Sequence, residues 1–278
     1  MFSRPASATF VPDGEPLASA LARTTHLGVG AHADDLEIMA IHGILECYAR
    51  PDRWFCGAVV TDGAGSPQGA VQLERAALRD TRRREQERAA VLGRYGAQVF
   101  LDHTSEGVKD PRDDGAVRDL VTLLRAARPE VVYTHALSDL HDTHVAVALR
   151  VVSACRELAP EERPGRVLGC EVWRDLDWLA RDDKVLLATD EHPELQRQLL
   201  EVFESQLAVK RFDRAALGRR AAHAAFSESH RSDRHAGVVW AMDLGPLVAN
   251  DASPAEFTRE LVRRLEGDVV ARIARLSG

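Results

Sequence analysis

The run Gly30-Ala31-His32-Ala33-Asp34-Asp35-Leu36-Glu37 places one imidazole and three carboxylates within six residues. Such a set is either a cation site or an unusually acidic helix start, because Asp is a good N-cap and acids in a first turn suit the helix dipole. One capping Asp would be unremarkable. Two adjacent acids one residue beyond a His favour a metal, since imidazole nitrogen and carboxylate oxygen are common ligands of zinc. A second cluster lies between Tyr133 and His144, where His135, His141 and His144 accompany Asp139 and Asp142. His141 and His144 are three apart at a helix start, a spacing that lets both face one point. Folded beside the first run, this segment would supply the ligands that His32 and Asp35 lack.

Gly28-Val29-Gly30-Ala31-His32-Ala33 also satisfies a loose G-x-G-x-x-A dinucleotide fingerprint. Its pyrophosphate would sit at the start of the next helix, where Asp34 and Asp35 would repel it. A nucleotide-binding oxidoreductase is therefore the weaker alternative.

Both clusters follow β-like runs in a chain that alternates strands and helices, the order of parallel βαβ units. Strands are predicted at Thr25–Ala31, Trp54–Thr61, Ala97–Asp102 and Glu130–His135, with helices at Leu36–Ala49, Leu73–Gly93, Asp114–Ala127 and Thr143–Leu158. In the first helix Leu36, Met39, Ala40, Gly43, Ile44 and Cys47 share one face. Right-handed crossovers give an α/β fold with a Rossmann-like, mostly parallel sheet and helices on both faces, binding ligands beyond the strands' carboxyl ends. Past residue 159 the pattern loosens into strands at Arg166–Trp173, Lys184–Ala188 and Val238–Leu244. Helices are expected there at Glu194–Val209, Arg214–Ala225 and Glu256–Arg275. The sequence reads as a single domain over 1–278: an N-terminal extension (1–24), a core (25–160) and a C-terminal α/β elaboration (161–278) that shapes the pocket or the assembly.

Weaker candidates surround this frame. The loop Thr61-Asp62-Gly63-Ala64-Gly65-Ser66-Pro67 follows the second strand and could contact substrate. Arg82, Arg83 and Arg84 could include a carboxylate anchor. Asp62, Arg82 and Asp139 are the candidate substrate contacts, and Asp139 or Asp142 could hold His141 in its charged state. Glu171, Trp173, Arg174, Asp175, Asp177 and Trp178 mix acids with aromatics, as sugar pockets and core edges both do. His26, His42, His103, His192, His223, His230 and His235 read as structural.

Across 278 residues, 36 basic and 43 acidic side chains give a net charge of −7, which argues against a nucleic-acid or anionic-membrane partner. No apolar run approaches the ~20 residues of a membrane span. Cys47, Cys56, Cys155 and Cys170 form no C-x-x-C pair and sit in apolar runs, which points to buried thiols in a reducing, cytoplasmic setting. The three lysines, Lys109, Lys184 and Lys210, against 33 arginines suggest a GC-rich bacterial genome. The apolar run Val238–Met242, beside Pro246 and Leu247, could serve a core or the interface of a homo-oligomer.

The segment Ala31-His32-Ala33-Asp34-Asp35-Leu36-Glu37 resembles the A-H-P-D-D-x-E motif of the PIG-L, or LmbE-like, zinc-dependent de-N-acetylases. His141-Asp142-Thr143-His144 is similar to that family's H-x-x-H motif, and Arg82–Gly93 to its R-x-x-E helix ending in Leu-Gly. The resemblance covers residues 25 to 160. It implies zinc held by His32, Asp35 and His144, Asp34 as general base, and a protonated His141 steadying the tetrahedral intermediate. The implied activity is hydrolysis of the acetamide of an N-acetylglucosamine-type sugar or its conjugate, releasing acetate; the alternative is a silent metal- and sugar-binding member. Two departures stand out: Ala33 replaces the family's Pro, and the Thr61–Pro67 loop lacks an Arg beside its Thr.

Overall fold

The computed structural model describes residues 2–65, 73–228 and 230–278. Ser66 and Pro67 of the candidate substrate loop lie outside them. Among the described residues, eight strands form one sheet: β1 (Ala8–Phe10), β2 (His26–Gly30), β3 (Phe55–Thr61), β4 (Ala97–His103), β5 (Val131–His135), β6 (Arg166–Cys170), β7 (Val185–Ala188) and β8 (Val238–Asp243). Their spatial order is β1-β4-β3-β2-β5-β6-β8-β7. The five central strands pair in parallel, while β1, β7 and β8 run antiparallel to their neighbours. The expected mostly parallel α/β sheet is thus present. The chain passes from β2 to β3 and β4 on one side and then crosses back to β5 on the other side of β2, so a crevice opens beyond the carboxyl ends of β2 and β5.

Every residue of β2 and β3 is buried, as strands covered on both faces require. Side chains of β3 alternate between two apolar clusters: Cys56, Ala58 and Val60 enter one, Phe55 and Val59 the other. On the second face, Gly28 leaves a notch for Leu36, since a Cβ there would stand 3.0 Å from Leu36 and 2.7 Å from Phe55. A Cβ on Gly30 would stand 3.0 Å from that of Asp35. The two glycines of the G-x-G run therefore seat the next helix tightly on the sheet, and Leu36, fully buried there, contributes about 2 kcal/mol.

Several elements differ from expectation for identifiable reasons. The helix predicted over Leu36–Ala49 is two, Asp35–Met39 and Ile41–Cys47. The Arg220 guanidinium bonds the carbonyls of Glu37 (2.7 Å) and Ile38 (3.3 Å), which a continuous helix would give to residues 41 and 42. The helix predicted over Glu194–Val209 likewise divides into Pro193–Glu201 and Glu204–Leu207, with fully buried Phe203 at the break. Arg88 takes the freed carbonyl of Val202 at 3.1 Å. Residues ahead of the expected core contribute β1 and a helix, Leu17–Ala22, and Ser3 donates two hydrogen bonds of 2.7 Å to buried Asp119. The strand read over Arg166–Trp173 stops at Cys170. β8 lies between β6 and β7, so Val238–Met242 is core.

The helix Pro254–Ser277 buries Leu261 alone. Its residues from 266 onward are exposed, Val269, Val270, Ile273 and Leu276 included. No helix among the described residues is long and apolar enough to cross a membrane.

Candidate active site

The loop after β2 begins where Thr61, at the end of β3, donates its amide (3.0 Å) and hydroxyl (2.8 Å) to the carbonyl of Ala31. The chain then turns sharply through Asp34, whose φ of 90° lies in the left-handed region that side chains avoid. Asp34 makes no capping bond to the helix it precedes, so the acids here are not explained as helix caps. Gln86 and Gln206 hold the turn. Gln86 accepts the Asp34 amide at 3.3 Å, and Gln206 donates to the carbonyl of Ala33 at 2.8 Å while accepting from Arg82.

His32 donates its backbone N–H to Asp35 Oδ2 at 2.7 Å, folding that carboxylate back toward its own ring. His144 arrives from the helix Asp142–Arg156, which starts beyond the end of β5. His32 Nδ1 and His144 Nε2 are 3.2 Å apart, and each lies 3.4 Å from an Asp35 carboxylate oxygen. Against the upward push of burial, His144 and His135 hold the Asp35 carboxyl well below the usual carboxylate range. Burial lowers the His144 imidazole to about 4, leaving it neutral at physiological pH, as a ligand must be. One carboxylate and two imidazoles with nitrogens converging on it form a donor set that a divalent cation fits.

Asp34 lies beside this triad. Burial and the neighbouring Asp35 charge push its carboxyl well above the usual range, while Arg82 opposes them. A carboxyl raised in this way binds a proton more firmly, which suits a group that must accept one. His141 stacks on His144 with ring centroids 4.6 Å apart and approaches His32 at 5.1 Å. Its Nδ1 accepts the Thr143 amide at 3.3 Å, which places the proton of a neutral ring on Nε2. Burial and His32 lower its pKa.

Asp139 is buried beneath the site and does not reach the cavity. It accepts the backbone amides of His141 (2.9 Å) and Trp173 (3.0 Å), and its Oδ1 stands 3.5 Å from His144 Nδ1. It thus faces His144 from below, where the sequence reading made it a substrate contact or a partner for the His141 ring. Arg82 and Asp62 do line the cavity, Asp62 bonded to Arg75 at 2.6 Å.

Sequence reasoning placed His135 in the second cluster without giving it a role of its own. At the last position of β5 it accepts the Ala31 amide at 2.9 Å, stacks on His144 at 3.9 Å and stands 3.3 Å from Asp35. It joins Asp139 and His144 in a second, deeper group of possible ligands. Gln86, Gln206 and Arg220 were also unassigned; only their proximity in the fold reveals them.

The triad floors a cavity of about 460 Å³ that also reaches Asp34, His141, Trp173, Gln206 and Phe212. Val172, Trp173 and residues between Gln206 and Arg219 bring the C-terminal half of the chain into its lining.

Residues 27–155 match the family model described as "PIG-L: GlcNAc-PI de-N-acetylase". No curated protein matches the chain. Among solved structures, the 4-carboxy-2-hydroxymuconate hydratase of Pseudomonas putida is 17% identical, with a TM-score of 0.59, covering 80% of this chain and 96% of its own. The N,N'-diacetylchitobiose deacetylase of Pyrococcus horikoshii is 16% identical, with a TM-score of 0.59 and coverages of 78% and 83%. A zinc-inhibited form of teicoplanin deacetylase is 16% identical, with a TM-score of 0.55 and coverages of 78% and 97%. At these identities the likeness is one of fold.

Proposed function

Residues 27–155 form a PIG-L family domain, and from that premise we propose that the protein is a zinc-dependent hydrolase removing acetyl from an N-acetylated amino sugar or its conjugate. The observation that carries this reading is the convergence of His32, Asp35 and His144 on the cavity floor, with Asp34 and His141 beside them. Their mutual spacings of 3.2–3.4 Å suit zinc, because a tetrahedral ion with bonds of about 2.0–2.1 Å spaces its ligands by about 3.3 Å. His32, Asp35 and His144 would hold the ion and leave a coordination position open. When bound, zinc supplies Lewis acidity, bringing the pKa of a water to about 7.

Asp34 accepts a proton from the attacking water as its oxygen adds to the acetyl carbon. The Nε2–H of His141 donates to the acyl oxygen as that oxygen gains charge, a contribution typically of ~2.7–4 kcal/mol in such sites. Asp34 then returns the proton to the amine nitrogen as the C–N bond breaks, yielding acetate and the free amine. Ala33 in place of the family's Pro removes no donor. Its carbonyl is held by Gln206, which fixes a turn the proline would otherwise stiffen.

The test is acetate release from a panel of acetylated amino sugars with zinc at one equivalent per chain; excess is avoided because the similar teicoplanin deacetylase is known in a zinc-inhibited form. Asp34→Asn should keep the metal and lose roughly 10²–10⁴-fold in rate. An undiminished rate removes Asp34 as the base. Acetate from no sugar would leave a metal- and sugar-binding protein. Because a hydratase shares the fold, the panel includes an unsaturated polycarboxylate, followed by its ultraviolet absorbance.

A further inference from the structure

The catalytic reading leaves unused the cationic part of the cavity wall. Arg75, Arg82, Lys109, Lys210, Arg211 and Arg219 line it against four carboxylates, Asp34, Asp35, Asp62 and Glu106, in a chain whose net charge is −7. Two of those carboxylates belong to the catalytic floor, so the remaining wall is strongly basic.

Most of the arginines are already engaged. Arg75 bonds Asp62 and Arg211 bonds Asp213, each at 2.6 Å, while Arg219 bonds the Val172 carbonyl at 2.6 Å and Arg82 bonds Gln206. The two lysines differ. Among the described residues, neither Lys109 nor Lys210 has a carboxylate within ion-pair reach, whereas Lys184, the third lysine of the chain, pairs with Asp177 at 2.9 Å. The Lys210 ammonium stands 4.6 Å above the ring of Trp173, itself part of the lining and 42% exposed. An aromatic face beside one such ammonium, with a second lining the same cavity, suits a ring that carries an anion. A cavity of about 460 Å³ admits a conjugate of that kind.

Resting on the hydrolase reading above, we infer that the substrate bears an anionic group, carboxylate or phosphate, received by Lys109 and Lys210 while Trp173 supports the sugar and the acetamide lies over the histidine and aspartate floor. The anion need not take part in the chemistry; it selects and orients the molecule that does.

The experiment compares kcat/KM for two anionic sugars, N-acetylglucosamine 1-phosphate and N-acetylmuramic acid, with that for neutral N-acetylglucosamine and N,N'-diacetylchitobiose. Calorimetric binding of the same four to the metal-free protein runs in parallel. The anionic sugars should be preferred, less so at high salt. The double variant Lys109→Gln/Lys210→Gln should shrink the anionic-to-neutral ratio about tenfold and weaken anionic binding to the metal-free protein by a similar factor. A ratio near one in the native protein, or one the double variant does not move, overturns the inference and leaves the deacetylase reading standing. If no sugar releases acetate, the deacetylase reading falls, and calorimetry decides the subsite: anionic binding lost in the double variant supports it, and equal binding to both proteins overturns it.

Discussion

Two buried histidine–carboxylate clusters in this protein differ in what their polar atoms have found. Glu171, just past β6, accepts the Leu176 amide (2.5 Å), the Trp240 amide (3.0 Å) and His223 Nε2 (3.0 Å), and His223 packs against Trp240. Both oxygens are committed, and the group holds together a bend, a strand and a helix. Asp35 instead has three imidazoles around it at 3.3–3.4 Å, two of them also facing each other and open to the cavity floor. Both carboxylates are 2% exposed and both meet imidazole nitrogen. What separates them is saturation: a carboxylate whose partners are used up is structural, and one ringed by convergent nitrogens has capacity for a cation.

The largest effect is expected where that capacity is removed. Asp35→Asn should abolish stoichiometric metal and lower acetate release roughly 10³-fold or more while the fold persists, as judged by metal analysis and circular dichroism. Retained metal would mean that convergence alone does not identify the site. A middle effect belongs to Asp139, which touches His144 but not the cavity: Asp139→Asn should weaken metal affinity roughly 10–100-fold, measured by chelator competition. An unchanged affinity would place Asp139 with the saturated groups. The smallest effect is expected at the closed cluster, where Glu171→Gln turns an amide nitrogen toward a donor. It should cost about 1–2 kcal/mol in denaturant unfolding with metal stoichiometry unaltered. Loss of metal in that variant would break the distinction.

The contrast also explains what could be read in advance. His32, Asp34, Asp35, His141 and His144 lie in two short runs, each after a strand, so local spacing and strand order were enough to bring them to one crevice. His135 was legible as a histidine at a strand end but not as the acceptor of the Ala31 amide, which depends on how β5 lies beside β2. Gln206 and Arg220 are 173 and 183 residues away from the carbonyls they bond. Nothing in their own helical segments marks such contacts. For the same reason the two helix breaks were hidden: at each, an arginine from elsewhere in the chain takes a carbonyl that a continuous helix would use. The insertion of β8 between β6 and β7 was equally hidden, since an apolar run records its burial and not its neighbours.

The Arg220 clasp bears on the order in which the molecule can be made. By the time His144 leaves the ribosome, every side chain of the two motifs has been synthesised. The helix that carries Asp35 nonetheless ends in two carbonyls whose donor is Arg220, with Gln206 also still to come. A nascent chain of some two hundred residues thus contains both motifs without the groups that hold the backbone of the first. The site is finished late in translation, by residues that lie beyond the stretch 27–155.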